Sequence, residues 1–239
     1  MKYIKSSLMS LSIIFLLFTS CVTWAKDITI ATFSLESLQV DSAIAIMTPI
    51  YKRIGYDMKI LRFPGKRSVV EADKGTIQGE LLRVKTIEND YPNLIRIPYA
   101  IGYLNVIAIT CHEQPEITEL SSIVNQRVGI LRGVEVFDAL TKNLKREVVN
   151  NIDSLFGILF SGRVDVILFP ELDAQQYIKS YGIAEKVNIG RKAILKMPLY
   201  HFVHKDASNV ADKLMQVMKP MQESGELDRL IEKTESAYD

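Results

Sequence analysis

The chain has few of the residues that mark metal or disulfide chemistry. Its 239 residues include two cysteines, three histidines and one tryptophan. No Cys/His cluster has the spacing of a zinc site, and no acidic loop resembles a calcium-binding loop. His201 and His204 are three residues apart on a predicted strand, so they point to opposite faces and do not form a site. We therefore expect neither a metal ion nor a cofactor.

The sequence also lacks an excess of charge of either sign. It contains 29 basic and 28 acidic residues, which gives a formal net charge of +1. A strong basic excess is typical of proteins that bind nucleic acid or anionic membranes, so we expect neither partner. Internal repeats, low-complexity tracts, nucleophile elbows and catalytic triads are absent from the sequence as well. These absences argue against a repeat protein and disfavour an enzyme.

The N-terminal segment, residues 1–25, has the pattern of a secretory signal peptide. Lys2 and Lys5 form its positive start, an apolar run follows at 8–18, and small residues precede a cleavage point after Ala25. The apolar run is shorter than the roughly 20 residues that a membrane-spanning helix needs. The pattern therefore predicts export to the periplasm and cleavage rather than a membrane anchor.

The two cysteines leave one alternative for the N-terminus. Residues 18–21 loosely resemble a lipoprotein box, which would leave Cys21 as a lipidated first residue. A phenylalanine stands where that box usually has leucine, and the first strand follows at about Ile28 without a tether, so a soluble product is favoured. Cleavage after Ala25 removes two lysines, which changes the net charge from +1 to −1. It also leaves only Cys111, which excludes an intrachain disulfide and which we interpret as a small buried apolar residue.

The remaining chain alternates between strand and helix patterns. Short β-branched or apolar runs predict strands at 28–33, 58–63, 77–82, 103–110, 128–131, 148–149, 164–169 and 199–204. Helical spacing predicts helices at 38–54, 66–74, 134–144, 154–160, 172–181, 209–222 and 227–233. The prolines of segment 91–99 predict irregular extended chain, and Asp153 is the expected N-cap of helix 154–160. This alternation is typical of parallel sheets covered by helices.

Four segments carry a resemblance to a known family. In 75–83, glycine residues are followed by an acidic residue and an arginine, and in 126–133 a strand ends at a glycine. A glycine–aspartate stretch leads into a strand at 161–167, and a glycine separates two helices at 223–231. In this order they resemble the periplasmic solute-binding proteins of the amino-acid ABC transporter type, the extracellular solute-binding protein family 3. The resemblance covers nearly all of the chain after residue 25.

The resemblance implies an α/β fold of two lobes, the type II periplasmic-binding-protein fold. Each lobe would be a helix-flanked, mainly parallel sheet, with the ligand cleft between the lobes. Lobe 1 would contain 26–102 plus 197–239, and lobe 2 would contain 103–196; pattern alone does not decide which lobe receives the last helices. The implied partners are a small solute and an ABC permease or a membrane sensor, and we expect a monomer.

Arg83, Arg67 and Phe33 are candidate ligand contacts on the lobe 1 side. Arg83 matches the position of the family's carboxylate-binding arginine, and a guanidinium presents a forked donor pair to a carboxylate. Arg67 lies at a helix start, where a basic residue opposes the helix dipole and needs a partner, either the ligand or Glu71. Phe33 ends the first strand and either stacks on the ligand or packs in the core. Ser34, in the next loop, is a further candidate.

Gly133 and Glu171 are the candidates on the lobe 2 side. Gly133 precedes a helix whose free N–H groups bind anions well. The chain departs from the family here, because Val134 replaces a small hydroxyl residue and Pro170-Glu171 replaces the aspartate that holds an ammonium group. The departures favour a small anionic or zwitterionic solute over a strict α-amino acid. Dehydratases also use this fold, so an enzyme with Glu171 or Glu36 as acid or base stays an alternative, as does an orphan signalling module.

Overall fold

A computed structural model describes residues 25–190 and 192–238, and nine strands and seven α-helices lie in these two ranges. The strands are β1 (Lys26–Phe33), β2 (Tyr56–Phe63), β3 (Gly79–Val84), β4 (Leu94–Cys111), β5 (Val128–Leu131), β6 (Arg146–Val149), β7 (Val166–Pro170), β8 (Val187–Ile189) and β9 (Leu195–His204). The α-helices are α1 (Leu38–Arg53), α2 (Arg67–Asp73), α3 (Glu135–Thr141), α4 (Ile152–Phe160), α5 (Glu171–Tyr181), α6 (Ser208–Glu223) and α7 (Glu226–Glu235).

The strands form one mixed sheet with a parallel group at each end. Its order is β2-β1-β3-β9-β4-β7-β5-β6, and β8 pairs with β4. Strands β1, β2 and β3 are parallel to one another, and so are β5, β6 and β7. Between the groups, β4 and β9 pair antiparallel along most of their length. Two helix-covered parallel halves joined by two extended crossings confirm the predicted two-lobed α/β fold.

The C-terminal helices pack on the first half of the sheet. Helix α7 packs against α1, and α6 packs against α1 and β4. An ion pair of 2.7 Å between Arg53 and Glu226 joins α1 to the start of α7. This arrangement supports the assignment of the last helices to lobe 1. The lobe boundaries at 26–102, 197–239 and 103–196 stay predictions.

Three local predictions differ from the structure. Segment 94–99 is paired strand, because β4 and β9 align along their length and Pro98 falls at a register shift where a ladder hydrogen bond is not needed. Helix α4 begins two residues earlier than expected, since the Asn151 side chain rather than Asp153 accepts a bond of 2.7 Å from Ser154 N. Strand β8 was not predicted, since its three residues are too few to show a period.

The predicted signal peptide and Cys21 lie outside the residues that the structure describes. Within residues 25–190 and 192–238, no helix is both long and apolar enough to cross a membrane. Cys111 ends β4 and is partly buried, and burial raises the pKa of its thiol. A raised pKa keeps the thiol protonated, which is the less reactive form.

Candidate functional site

A cavity lies between the two halves of the fold, where β1, β3, β5 and β7 end. Its volume is about 100 Å³. Most of its wall is apolar, with leucine and phenylalanine side chains from both halves: Phe33, Leu82, Leu104, Leu131, Phe169 and Leu199. Charged side chains also line it, namely Glu36, Arg83, Arg132, Glu135 and Asp173. A mostly apolar cleft with a few polar groups is the usual form of a small-molecule site.

Arg83 lies at the wall of this cavity and is held by two neighbours. Its Nε donates to Glu80 Oε1 at 2.8 Å, and its Nη2 donates to Ser68 Oγ at 2.7 Å. The guanidinium carbon lies 5.5 Å from the centre of the Phe33 ring, within the range of a cation–π contact. Nη1 donates to no acceptor among the described residues, although the side chain is only 9% exposed. Arg83 therefore has donors left for a group in the cavity.

Glu80 is the buried counter-ion of Arg83. It is fully buried, and its Oε1 also accepts from Ser68 Oγ at 3.2 Å. Its Oε2 has no hydrogen-bond partner in the described part of the chain. Burial raises the pKa of Glu80 to about 7, although the charge of Arg83 acts in the opposite direction.

Asp173 connects the two halves at one edge of the cavity. It lies in α5, on the second half, and binds the start of α1 on the first half, where Ser37 is the N-cap. Its Oδ1 accepts from Leu38 N at 2.7 Å, and its Oδ2 accepts from Ser37 Oγ at 2.9 Å. A carboxylate at a helix N-terminus binds free N–H groups and interacts favourably with the helix dipole. Burial nevertheless raises the pKa of Asp173 to about 6.

Two glycines meet on the other side of the cavity. Gly65 follows β2 and Gly133 follows β5, and both have left-handed backbone angles, with φ of 55° and 89°. A Cβ atom on Gly133 would lie 2.8 Å from Gly65 Cα, which is closer than side chains normally approach. Next to them, Lys66 Nζ lies 3.4 Å from Glu135 Oε1. The two halves are therefore in contact on both sides of the cavity, as in a closed cleft.

The predicted site residues fall into two groups. Phe33, Arg83 and Gly133 line the cavity together. Ser34 lies outside it, in a wider groove that also contains Glu36 and Asp173. The backbone N–H of Ser34 donates to Phe63 O at 2.8 Å, which fixes the turn after β1.

Arg67 and Glu171 also lie away from the cavity. The Arg67 side chain is 65% exposed and lies 3.8 Å from Glu71, the alternative partner that the sequence suggested. Glu171 lines a separate polar pocket beside β4, where its Oε2 accepts from Asn105 Nδ2 at 2.9 Å. Their assignment as ligand contacts stays a prediction, and the closed arrangement does not support it.

Sequence reasoning did not single out Glu80, Ser68 or Asp173 as site residues. Glu80 and Arg83 are three positions apart, and an ideal strand would place them on opposite faces. A register shift in the β3–β9 pairing falls between them and brings both to one face. Asp173 has a sequence signal only as an acidic residue in the first turn of α5, which does not indicate a contact with α1.

The described residues include no group of three or more His, Cys, Asp and Glu side chains that could hold a metal ion. His201 is fully buried and bonds to other groups at both ring nitrogens. Its Nδ1 lies 3.0 Å from Leu81 O, which only accepts, so Nδ1 carries the hydrogen. Nε2 then accepts from Tyr51 Oη at 2.7 Å. This histidine is a neutral core residue.

The fold is that of two-lobed periplasmic binding proteins. An ancestral arginine-binding protein bound to arginine has a TM-score of 0.70 and 17% identity, over 88% of this chain and 98% of that one. A histidine kinase sensor domain with similarity to periplasmic binding proteins has a TM-score of 0.72 and 9% identity, over 88% and 96%. The substrate-binding protein of an amino-acid ABC transporter has a TM-score of 0.64 and 19% identity, over 87% and 98%.

No family model matches the sequence. An uncharacterized protein of Shewanella oneidensis is 21% identical over 200 residues, which cover 81% of this chain and 76% of that protein. At these identities the solved structures establish the fold, and the ligand has to be argued from the cavity.

Proposed function

We propose that this protein is an exported solute-binding protein that captures a small carboxylate-bearing solute, an amino acid or a related acid, in the cleft between its halves. It acts without catalysis and delivers the solute to an ABC permease or presents it to a membrane sensor. The observation that carries the proposal is Arg83, a mostly buried guanidinium with an unused Nη1 at the wall of an apolar cavity. Guanidinium N–H groups in such a setting bind carboxylates strongly.

The contacts around the cavity support binding by closure. Asp173 and the Gly65–Gly133 contact join the halves on opposite sides of the cavity. In the two-lobed folds that this chain resembles, β4 and β9 would act as the hinge, and a solute that touches both halves would stabilise the closed form. The transport or sensing role rests on the fold neighbours, which include both an ABC transporter substrate-binding protein and a kinase sensor domain.

Thermal unfolding with a panel of amino acids, organic acids and small peptides tests the proposal. A solute at 100 times its dissociation constant should stabilise the folded protein by about 2.7 kcal/mol. Arg83→Lys keeps the positive charge but loses the paired N–H donors of the guanidinium group. It should remove most of the increase in unfolding temperature that the solute produces. Arg163→Lys, at an arginine that is 63% exposed and outside the cavity, is the matched control and should keep the shift.

Two results would count against the proposal. One is a panel with no stabilising compound, and the other is a solute whose shift survives Arg83→Lys. Turnover of a bound compound would favour the dehydratase alternative. The identity of the genes next to this one would separate a transporter partner from a sensor.

A further inference from the structure

The Arg83–Glu80–Ser68 cluster at the cavity wall is asymmetric. Glu80 Oε1 has two donors, Arg83 Nε at 2.8 Å and Ser68 Oγ at 3.2 Å. Glu80 Oε2 is buried and has no partner among the described residues. A buried ionised oxygen without a donor is costly, and a neutral carboxyl group costs much less. The geometry therefore favours a proton on Glu80 Oε2 whenever a bound anion neutralises the positive charge of Arg83.

Arg132 is a second cation at the cavity wall, and its Nε donates to Asn150 Oδ1 at 2.9 Å. Three acids, Glu36, Glu135 and Asp173, line the same cavity, so the surrounding charges do not favour a second anionic group there. Glu135 of α3 adds negative potential at Glu80. Lys66 lies nearby but is 3.4 Å from Glu135, so the two charges offset each other. Tyr91 also lies close enough to respond to Arg83, and burial raises the pKa of its hydroxyl, which keeps it neutral. Ionised Glu80 and Arg83 thus form a unit with no net charge.

We propose that Arg83 and Glu80 bind a monocarboxylate together with one proton, so that Glu80 restricts the cleft to monoanions. This inference rests on the proposed function, since it concerns the same cavity. The carboxylate accepts from the free N–H groups of Arg83. A proton from solvent binds Glu80 Oε2, and no covalent bond forms or breaks. When Glu80 is ionised beforehand, the net charge of the cluster is the same before and after binding, and when Glu80 is already protonated, the carboxylate neutralises Arg83. In both cases the buried site does not gain an uncompensated charge.

The rest of the cavity suits the hydrocarbon part of such an acid. Leucine and phenylalanine side chains form most of its wall, and they include Leu104 of β4, Leu131 of β5 and Phe169 of β7. A volume of about 100 Å³ is smaller than the roughly 150 Å³ that accommodates benzene in an engineered apolar cavity. Short aliphatic acids of about three to five carbons fit this size. A second carboxylate would lie against the apolar wall or near Glu36, Glu135 and Asp173, and both positions disfavour dicarboxylates.

The pH dependence of binding follows from the direction in which the pKa of Glu80 is shifted. Burial already raises the pKa of Glu80 to about 7, and an anion on Arg83 raises it further because it weakens the attraction between Glu80 and Arg83. Below about pH 7 the proton is already bound, so affinity is high and nearly constant. Above pH 7 binding requires proton uptake, so affinity falls by up to tenfold per pH unit. Short aliphatic acids stay ionised throughout this range, so they contribute no slope of their own.

Isothermal titration calorimetry with propanoate, butanoate and 3-methylbutanoate, and with succinate as the dianion, tests this inference. Titrations between about pH 6 and 8.5, in two buffers of different ionisation enthalpy, measure both affinity and proton uptake. We expect uptake of up to one proton at pH 8, weaker binding as pH rises and little binding of succinate. Glu80→Gln keeps an acceptor for Arg83 but removes the charge, so affinity should become independent of pH. Glu71→Gln, at a partly exposed acid outside the cavity, is the matched control and should behave as wild type.

Three results would overturn the inference. They are pH-independent binding of the monocarboxylates by wild type, succinate binding as tight as that of butanoate, and no monocarboxylate binding at pH 6. If an amino acid still binds in an Arg83-dependent manner, the proposed function stands and only this inference fails. If Glu80→Gln does not fold, as judged by circular dichroism, proton uptake by wild type in the two buffers decides the question.

Discussion

Two buried polar pairs involve β3 and β9, and they differ in how fully their hydrogen-bonding capacity is used. In the Tyr51–His201 pair, both ring nitrogens of the histidine have partners, at 2.7 and 3.0 Å. In the Arg83–Glu80 pair, one carboxylate oxygen and one guanidinium nitrogen have none among the described residues. The saturated pair belongs to the core, and the unsaturated pair lines the cavity. Of these two pairs, only the one with unused hydrogen-bonding groups lines the cavity and is available to a ligand.

The two pairs should also respond to pH in opposite directions. Burial lowers the pKa of His201 to about 4, so its contribution to stability is present above about pH 6.5 and is lost as pH falls through 4. Burial raises the pKa of Glu80 to about 7, so its contribution is present at acidic pH and is lost as pH rises through 7. Substitutions in each pair test this difference in pH dependence.

Arg83→Ala should have the largest effect on stability. It leaves Glu80 buried without its counter-ion, and breaking a buried pair costs about 3–5 kcal/mol. Glu80 becomes neutral when it binds a proton, which reduces this cost. The loss of unfolding free energy should therefore be about 3 kcal/mol at pH 8, at the low end of that range, and much smaller at pH 5. Urea unfolding at the two pH values measures the difference. An equal loss of stability at pH 5 and pH 8 would contradict the prediction that Glu80 binds a proton in this range.

Tyr51→Phe should have a smaller effect with little pH dependence between 7 and 9. It leaves His201 Nε2 buried without a donor, which costs about 1–3 kcal/mol. Urea unfolding at pH 8 measures the loss, and solute binding should be unchanged because the pair lies away from the cavity. Tyr181→Phe, at a residue that is 60% exposed, is the control and should change stability by less than about 0.5 kcal/mol. A loss of solute binding in Tyr51→Phe would contradict the division between core and site.

Asp173→Ala should have the smallest effect on stability and a clear effect on shape. Loss of the carboxylate that binds the N-terminus of α1 costs about 1 kcal/mol, and it removes a contact between the halves. We expect a larger radius of gyration in small-angle X-ray scattering. Asp153→Ala removes a hydrogen bond to Tyr177 within the second half and is the matched control. An unchanged radius in Asp173→Ala would mean that this contact does not hold the halves together.

The raised pKa of Asp173 makes the contact between the halves depend on pH. Its pKa is raised to about 6, mainly by burial, so its contribution to closure is favourable at acidic pH and declines as pH rises through 6. The radius of gyration of wild type should therefore increase slightly between pH 5 and 7. Asp173→Ala should show a flatter profile over the same interval.

Most of the fold was predictable because its elements are local patterns. All eight predicted strands and seven predicted helices have counterparts in the structure. The pairing of β4 with β9 was not predictable, since it joins segments about 100 residues apart and Pro98 indicates irregular chain. In the site, Arg83, Phe33 and Gly133 line the cavity, whereas Arg67 and Glu171 do not, and the role of all five as ligand contacts stays a prediction.

The sequence by itself determined the α/β alternation, the near-neutral charge and the position of Arg83 at the end of a buried strand. Those properties depend on composition and short-range periodicity, which a single chain displays directly. Only the tertiary structure decided what surrounds Arg83. A register shift brings Glu80 to its side. A bond from Leu38 N, 135 residues away along the chain, holds Asp173 of the other half at the same cavity. Such contacts depend on strand register and on closure of two halves, and neither has a signature along the chain.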